Sequence, residues 1–141
     1  MHNEHGDSPD AVNPWADHIN EAYYDGMGAA FGAKTRDRIN WMCSQVAGES
    51  VLDVGCSQGI TSILLAREGL RVTGIDIDQP TIDYAMAERA KEIASVQERI
   101  EFRCLDLAAL PPATFDTVLM GEVIEHQTSP ERFLARAVAL V

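Results

Sequence analysis

The fold is decided at residues 51–59, VLDVGCSQG, where an apolar strand runs into a glycine-rich turn. Gly55 and Gly59 frame this turn, and an apolar helix-forming segment follows it. At the carboxyl end of a parallel strand, such a turn lies in a crevice where glycine lets a ligand approach the backbone. The G-x-x-x-G spacing differs from the G-x-G-x-x-G of nicotinamide and flavin enzymes, which seat a pyrophosphate on helix amides. We therefore predict a site for a cofactor that carries no phosphate.

Short apolar strands alternate with helices after this turn, which is typical of an α/β fold with a parallel sheet and flanking helices. The predicted strands cover residues 51–54, 72–75, 100–104 and 115–120. The predicted helices cover residues 60–68, 80–95 and 129–141, and Asp78 is expected to cap the second. Four apolar residues of the last helix are expected to face the core: Phe133, Leu134, Ala137 and Val138.

The amino-terminal residues 1–34 are predicted to form a flexible tail and a short helix over 14–24, ahead of the main unit at 35–141. Tyr23 and Tyr24 precede a glycine-rich stretch, which suits either a hinged lid or a plain loop between packed helices. A clearer helix is expected to begin at Thr35 or Arg36. Its apolar stripe consists of Ile39, Met42, Cys43 and Val46.

The amino-acid composition limits the kinds of molecule that the protein is expected to bind. The formal net charge of -11 argues against nucleic acid, because phosphate contacts need a surplus of Lys and Arg. The odd number of cysteines, 3, without closely spaced pairs fits free thiols in a reducing compartment. The apolar runs are much shorter than the roughly 20 residues that a membrane span needs. We therefore expect a soluble, cytoplasmic protein with a small-molecule partner.

Three acidic residues at strand ends indicate a polar ligand. Asp53 lies inside the first strand, where a carboxylate is costly unless it accepts hydrogen bonds or meets a cation. It is expected either to bind the ligand or to hold amides of the loop. Asp76 ends the second strand 23 residues later, near the spacing at which dinucleotide folds place an acid on ribose hydroxyls. Asp106 follows the third strand and either contacts an exocyclic amine or only forms a turn.

These segments resemble, in order and spacing, the motifs of class I S-adenosylmethionine-dependent methyltransferases, in particular the small-molecule type of ubiquinone biosynthesis. Residues 51–59 resemble motif I, 74–78 (GIDID) the second motif and 104–107 (CLDL) the third. Residues 115–126 (FDTVLMGEVIEH) resemble the fourth strand and its loop. The resemblance covers about residues 35–141 and implies a Rossmann-like sheet that binds S-adenosylmethionine.

The resemblance also implies which residues touch the cofactor. Gly55, Cys56 and Gly59 would line its methionine part. The nucleoside would be lined by Asp76, Ile77, Asp106 and Leu107. Asp53 and Glu122 complete the set of predicted cofactor-binding residues.

The segment from Glu122 to His126 carries a second hypothesis. If it is helical, Glu122, Glu125 and His126 share one face and offer ligands for a divalent cation, as described for similar segments in small-RNA 2'-O-methyltransferases. The other interpretation is that Glu122 faces the cofactor and His126 packs or acts as the catalytic base. We favour this metal-free interpretation, because a three-ligand site needs a further His that the neighbouring sequence lacks.

The resembled family has seven strands and this sequence supplies four, so we expect a chain truncated after the fourth strand, with the carboxyl-terminal half of the sheet absent. An uncovered sheet edge invites pairing, which predicts a homo-oligomer through that edge. The predicted activity is methyl transfer to a small molecule, at oxygen or nitrogen rather than carbon. The alternatives are a cofactor-binding module without activity and a metal-assisted RNA 2'-O-methyltransferase.

Overall fold

The computed structural model describes residues 18–121 and 127–141 and contains a parallel sheet in the order β3-β2-β1-β4. The strands are β1 (Ser50–Val54), β2 (Arg71–Asp76), β3 (Ile100–Cys104) and β4 (Thr117–Met120). The helices are α1 (Ile19–Tyr23), α2 (Ala29–Ser44), α3 (Ile60–Arg67), α4 (Gln79–Ala90), α5 (Ala94–Gln97) and α6 (Pro130–Val138). A short 3-10 helix, Leu107–Ala109, follows β3. The predicted α/β class is confirmed.

Both faces of the sheet are covered. Val51 points to one face and packs in a cluster with Ile63 of α3 and Ile82 of α4. Leu52 points to the other face and packs in a cluster with Ala137 of α6. This alternation follows from the pleat of a strand, in which successive side chains leave opposite sides. Residues 51–54 are buried as a continuous run, as expected for a central parallel strand.

Strand order reverses at β1, which pairs with β2 on one side and with β4 on the other. In an open parallel sheet, ligands bind outside the carboxyl ends of the strands at such a switch point. The turn at residues 55–59 leaves β1 at this place. The fold therefore puts the predicted motif at the position where a ligand crevice forms.

The helix predicted over residues 80–95 is two helices, α4 and α5, so that expectation was wrong. Asp78 does cap α4, because its carboxylate accepts a hydrogen bond from the amide of Thr81 at 3.1 Å. The break is stabilised by Gln97, whose side-chain amide donates to the carbonyl oxygens of Glu92 (2.7 Å) and Ala90 (3.3 Å). These bonds satisfy free carbonyls after the end of α4 and turn the chain toward β3.

Helix α2 begins at Ala29 rather than at Thr35, so the predicted start was wrong and the proposed boundary at residues 34–35 lies inside a helix. Gly28 precedes the helix with a φ of 97°. Gly32 lies within it because α1 and α2 approach closely there, and a Cβ at this position would collide with the carboxylate of Asp25.

Two further differences concern the carboxyl-terminal part. Strand β4 begins at Thr117, two residues later than predicted, because Asp116 instead pins the chain to the start of β1: its carboxylate accepts from the amides of Glu49 (2.7 Å) and Ser50 (3.1 Å). In α6, Ala137 is buried, but Leu134 and Val138 are 45% and 63% exposed, contrary to the predicted buried face.

Within the two described ranges, no helix is long and apolar enough to span a bilayer.

The ring of Phe102 on β3 closes the underside of the glycine turn. A Cβ at Gly59 would lie 2.7 Å from Cζ of Phe102, and a Cβ at Gly74 would lie 2.7 Å from its Cδ1. Gly59 also has a φ of 89°, in the left-handed region that disfavours other residues. Both glycines are therefore required so that the aromatic ring can pack against the backbone of the turn and of β2.

Replacing Gly59 by Ala should lower the free energy of unfolding by about 2–5 kcal/mol, from left-handed strain together with overpacking against Phe102. Gly69→Ala is the matched control, because Gly69 has a φ of 96° but no heavy atom within 4 Å of its Cβ position. That variant should lose only about 1–2 kcal/mol. Urea unfolding followed by circular dichroism measures both values, and equal losses would show that the ring imposes no constraint.

Candidate functional site

The turn at residues 55–59 is held against β2 by backbone hydrogen bonds. The amides of Gly55 and Cys56 both donate to the carbonyl oxygen of Ile75, at 2.8 and 2.9 Å. The amide of Ser57 donates to the carboxylate of Asp76 at 3.0 Å. Gly55 and Ser57 have φ values of 69° and 53°. Both lie in the left-handed region of the backbone, which is uncommon for residues other than glycine.

Asp76 is half-buried at the tip of β2 and faces this turn, as the sequence predicted. Its second oxygen accepts from the amide of Asp78 at 3.1 Å. The sequence predicted a carboxylate kept for the ligand. In the structure, the carboxylate of Asp76 also holds two loops in place. Each carboxylate oxygen has about two acceptor positions, so capacity remains for a ligand hydroxyl group.

A cavity of about 230 Å³ opens beside Asp76, over the carboxyl ends of β1, β2 and β3. Its lining comprises Val54, Gly55, Ile75, Asp76, Ile77, Leu105, Asp106, Leu107, Gln127, Thr128 and Phe133. Five of the residues predicted to bind the cofactor are thus brought together. Acidic groups stand on two of its sides, and apolar side chains supply much of the rest.

Asp106 and Ile77 are exposed members of this lining that the sequence predicted. Asp106 caps the 3-10 helix, since its carboxylate accepts from the amide of Ala108 at 2.8 Å. The turn-forming role and the position on the cavity therefore coexist in one residue. Ile77 is 74% exposed directly after Asp76, a high value for a large apolar side chain. An apolar, exposed residue beside an acid offers a surface on which a planar ring can pack.

Cys56 and Gly59, both predicted to touch the cofactor, are absent from the described lining of the cavity. Cys56 is buried in the hydrophobic cluster that includes Val51. Burial raises the pKa of the Cys56 thiol well above its usual range and that of Cys43 to about 11, so both thiols are protonated at neutral pH. Gly59 has its Cβ direction blocked by Phe102.

Asp53 is also behind the cavity rather than on it. The residue is 4% exposed, and its carboxylate accepts a hydrogen bond from the Ser62 hydroxyl at 2.7 Å. Burial raises the pKa of this carboxyl to about 6, the Ser62 bond opposes the shift, and the charge of Asp76 adds to it. Asp53 thus ties β1 to α3, a role that neither of the two sequence interpretations included.

Sequence reasoning missed six residues of the lining. Val54, Ile75 and Leu105 lie at or next to the ends of β1, β2 and β3. Gln127, Thr128 and Phe133 follow the fourth strand, on the far side of the switch point from β2. The signal that points to them is positional, because residues that come after a strand at the switch point are candidates for the crevice. Glu122, Glu125 and His126 lie outside the described residues, so their cofactor, catalytic and metal roles stay predictions.

Two other features of the described part do not suggest chemistry. It contains no group of three or more His, Cys, Asp or Glu residues that could hold a metal ion. A larger cavity of about 540 Å³ lies between the segment after the 3-10 helix and the end of α6. Its described lining includes Pro112 and Arg136 but none of the glycine turn and no acidic residue. The smaller cavity beside Asp76 is therefore the candidate site.

The raised pKa of Asp53 predicts a pH-dependent stability. Between about pH 4 and pH 6 the folded chain binds more protons than the unfolded chain, so the free energy of unfolding falls as pH rises through this window. Asp53→Asn removes the charge and should be more stable than the parent above about pH 6, by up to about 3 kcal/mol. Ser62 can still donate to the new amide oxygen.

Urea unfolding at about pH 4.5 and about pH 7.5 measures the difference in the free energy of unfolding between Asp53→Asn and the parent. This difference should be smaller at the lower pH. Asp37→Asn, at an exposed residue of α2, is the control and should show no such trend. A parent protein that is the more stable of the two at about pH 7.5 would show that the buried charge is compensated.

Comparison with known proteins supports the resemblance to methyltransferases that the sequence motifs indicated. The ubiquinone biosynthesis O-methyltransferase of Pseudomonas savastanoi pv. phaseolicola is 34% identical over 106 residues, covering 74% of this chain and 45% of that protein. The enzyme of the same name from Chromobacterium violaceum is 36% identical over 101 residues, covering 70% and 42%. The chain thus spans less than half the length of these relatives.

A solved structure shares the fold at lower identity. Magnesium protoporphyrin IX methyltransferase from Synechocystis PCC 6803, solved with bound SAM, superposes with a TM-score of 0.66 at 24% identity, over 92% of this chain and 62% of that chain. A family profile described as a methyltransferase domain matches residues 52–141, more than half of the chain. The chain therefore belongs to the methyltransferase domain family and has the Rossmann-like fold of class I S-adenosylmethionine-dependent methyltransferases.

Proposed function

We propose that this chain is the cofactor-binding part of an S-adenosylmethionine-dependent methyltransferase that acts on a small molecule, at oxygen or nitrogen. The observation that carries the proposal is the carboxylate of Asp76, which stands at the tip of β2 and also holds the glycine turn. This geometry places one acid at the border between the turn and the cavity. A ligand that spans both, with a sugar on one side and a short polar tail on the other, fits that arrangement.

The cavity suits the nucleoside part of this cofactor. Asp76 offers a carboxylate for the two ribose hydroxyl groups, and such a charged hydrogen bond is among the stronger ones in proteins. Ile77 and Leu107 provide apolar walls for a purine, and Asp106 provides an acceptor for its exocyclic amine. The volume of about 230 Å³ is below the roughly 300–1,000 Å³ of sites that enclose a whole drug-sized ligand. The methionine part would therefore extend along the turn.

S-adenosylmethionine, when bound, supplies a methyl group on a positively charged sulfur, which an acceptor displaces directly. The residues of this chain would contribute by orientation, which can lower a barrier by as much as about 7–11 kcal/mol in well-aligned reactions. Asp76 and Asp106 also favour a cationic ligand over a neutral one. His126 stays the predicted base for acceptors that must lose a proton.

The small-molecule acceptor is supported by the relatives named for ubiquinone biosynthesis and by the net charge of -11, which disfavours nucleic acid. The cyclase SpnF is structurally similar, with a TM-score of 0.71 at 22% identity over 80% of this chain and 43% of that chain. Since one fold hosts different reactions, a cofactor-binding module without methyl transfer is the second candidate.

The three free cysteines support a reducing, cytoplasmic location. A homo-oligomer stays a prediction.

Calorimetric titration with S-adenosylhomocysteine, and with NADH for comparison, tests the proposal. We expect binding of S-adenosylhomocysteine and no binding of NADH. Asp76→Ala should weaken the affinity by at least about 100-fold, because charged hydrogen bonds and the anchor of Ser57 are lost together. Asp106→Ala leaves the turn intact and should weaken it by about tenfold.

Asp37→Asn removes one negative charge from an exposed residue of α2 that does not line the cavity, and this variant should bind as the parent does. Binding of NADH alone would overturn the family-based assignment of the cofactor. Unchanged affinity in Asp76→Ala would remove the ribose assignment. Circular dichroism of each variant separates loss of the site from loss of the fold.

The metal-assisted alternative predicts a different response to chelators. We expect excess EDTA to leave both the affinity for S-adenosylhomocysteine and methyl transfer unchanged within about twofold, because a side-chain base such as His126 can take the proton of the acceptor without a metal. A loss of activity that added Mg²⁺ or Mn²⁺ restores would instead assign Glu122, Glu125 and His126 as ligands and favour the RNA 2'-O-methyltransferase alternative.

A further inference from the structure

Gln58 belongs to the glycine turn but contacts the amino-terminal helix. Its side-chain carbonyl oxygen accepts a hydrogen bond from the amide of Asn20 at 2.8 Å, across 38 residues of sequence. Both residues are more than nine-tenths buried, Asn20 at 8% and Gln58 at 6% exposure. A buried bond between a loop and a distant helix costs each partner its hydration, so its loss leaves an unsatisfied donor on α1.

Helix α1 depends on this bond for its amino terminus. It has five residues, and its own cap residue, His18, makes no side-chain capping bond. A helix this short is not stable alone, because nucleation costs more than its few hydrogen bonds return. Asn20 occupies the second helical position, whose amide lacks an intrahelical partner. Gln58 therefore caps α1 from another part of the chain.

A second bond fixes the same residue of α1. The side-chain amide nitrogen of Asn20 donates to the hydroxyl of Tyr84 on α4 at 3.0 Å. Helix α1 is joined to α2 by Arg36, which donates to the carbonyl oxygen of Tyr23 at 2.8 Å and pairs with Asp25 at 2.6 Å. The two helices thus form one hairpin, and Asn20 is its attachment to the turn and to α4.

The position of Gln58 is set by the residues on either side of it. Ser57 is bonded to Asp76 and has a φ of 53°, and Gly59 has a φ of 89°. A change in the contacts of Asp76 would therefore rotate the peptide groups around Gln58. The Ser57 hydroxyl is buried and has no hydrogen-bond partner in the described part of the chain. A small adjustment of the turn that gave this hydroxyl a partner would be favourable.

We infer that Gln58 is a positioning residue that couples occupation of the cavity at Asp76 to docking of the α1–α2 hairpin. This inference rests on the proposed cofactor, because that ligand is what would load Asp76. Coupling between two sites is reciprocal, so a ligand at Asp76 strengthens the docking of α1, and an intact cap strengthens the binding of the ligand. The docked position of the hairpin is then more populated when the cofactor is in place.

Hydrogen exchange read by mass spectrometry, with and without S-adenosylhomocysteine, tests this coupling on the peptide that covers residues 19–25. In the parent protein the ligand should slow exchange of this peptide at least about fivefold. Gln58→Ala should raise exchange of the free protein and abolish the slowing by ligand. It should also weaken calorimetric affinity by about fivefold, because coupling changes both equilibria by the same factor.

Two variants complete the design. Gln45→Ala makes the same substitution at an exposed residue after α2 and should behave as the parent does. Tyr84→Phe removes the second bond to Asn20 without touching the turn, and should shift exchange in the same direction as Gln58→Ala but less. It keeps the inference testable if Gln58→Ala fails to fold.

The outcomes separate this inference from the proposed function. A parent protein that does not bind S-adenosylhomocysteine overturns the proposed cofactor. Binding that leaves exchange of α1 unchanged, together with parent-like affinity in Gln58→Ala or Tyr84→Phe, overturns the coupling alone. Equal ligand-induced slowing in the parent and in Gln58→Ala overturns it as well.

Discussion

The carboxylate of Asp76 accepts hydrogen bonds from the amides of Ser57 and Asp78, and these bonds join the end of β2 to two loops. A backbone carbonyl at Ile75 adds the amides of Gly55 and Cys56. The glycine turn is thus attached to the neighbouring strand by several bonds, and one bond within the turn, from the amide of Gly59 to the carbonyl oxygen of Cys56 at 3.0 Å, adds to them. Any ligand that binds Asp76 acts on a group that already supports the turn. Binding and local structure therefore share one carboxylate.

The other side of the turn is fixed by packing. Phe102 fills the space that Gly59 and Gly74 leave open, so the glycines admit an aromatic ring of the protein from below. This differs from the common explanation that such glycines make room for a ligand. In this chain the ligand-facing residue of the turn is Gly55, which lines the cavity, whereas Gly59 serves the core. One motif therefore divides its residues between two tasks.

The sequence was sufficient for the class of fold, for the existence and order of the four strands and for the position of Asp76, because apolar periodicity and strand ends are local properties. It was insufficient where a distant residue decides the outcome. The break between α4 and α5 depends on Gln97, and the early start of α2 depends on the packing of Gly32 against α1. Asp53 illustrates the same limit, because its partner Ser62 faces it only after α3 has folded onto β1. Spacing shows which acids lie near the crevice, but not which of them turn toward it.

Asp53 and Asp76 show how the fold assigns different roles to two acids on neighbouring strands. Asp53 lies inside the sheet with one hydroxyl partner, and burial favours its neutral form. Asp76 lies at the strand tip, half-buried, where its carboxylate accepts from two backbone amides and keeps capacity for a ligand. The charge of Asp76 contributes less to the raised pKa of Asp53 than burial does, and the Ser62 hydroxyl opposes both. Position along the strand thus decides which of the two acids supports the sheet and which meets the cavity.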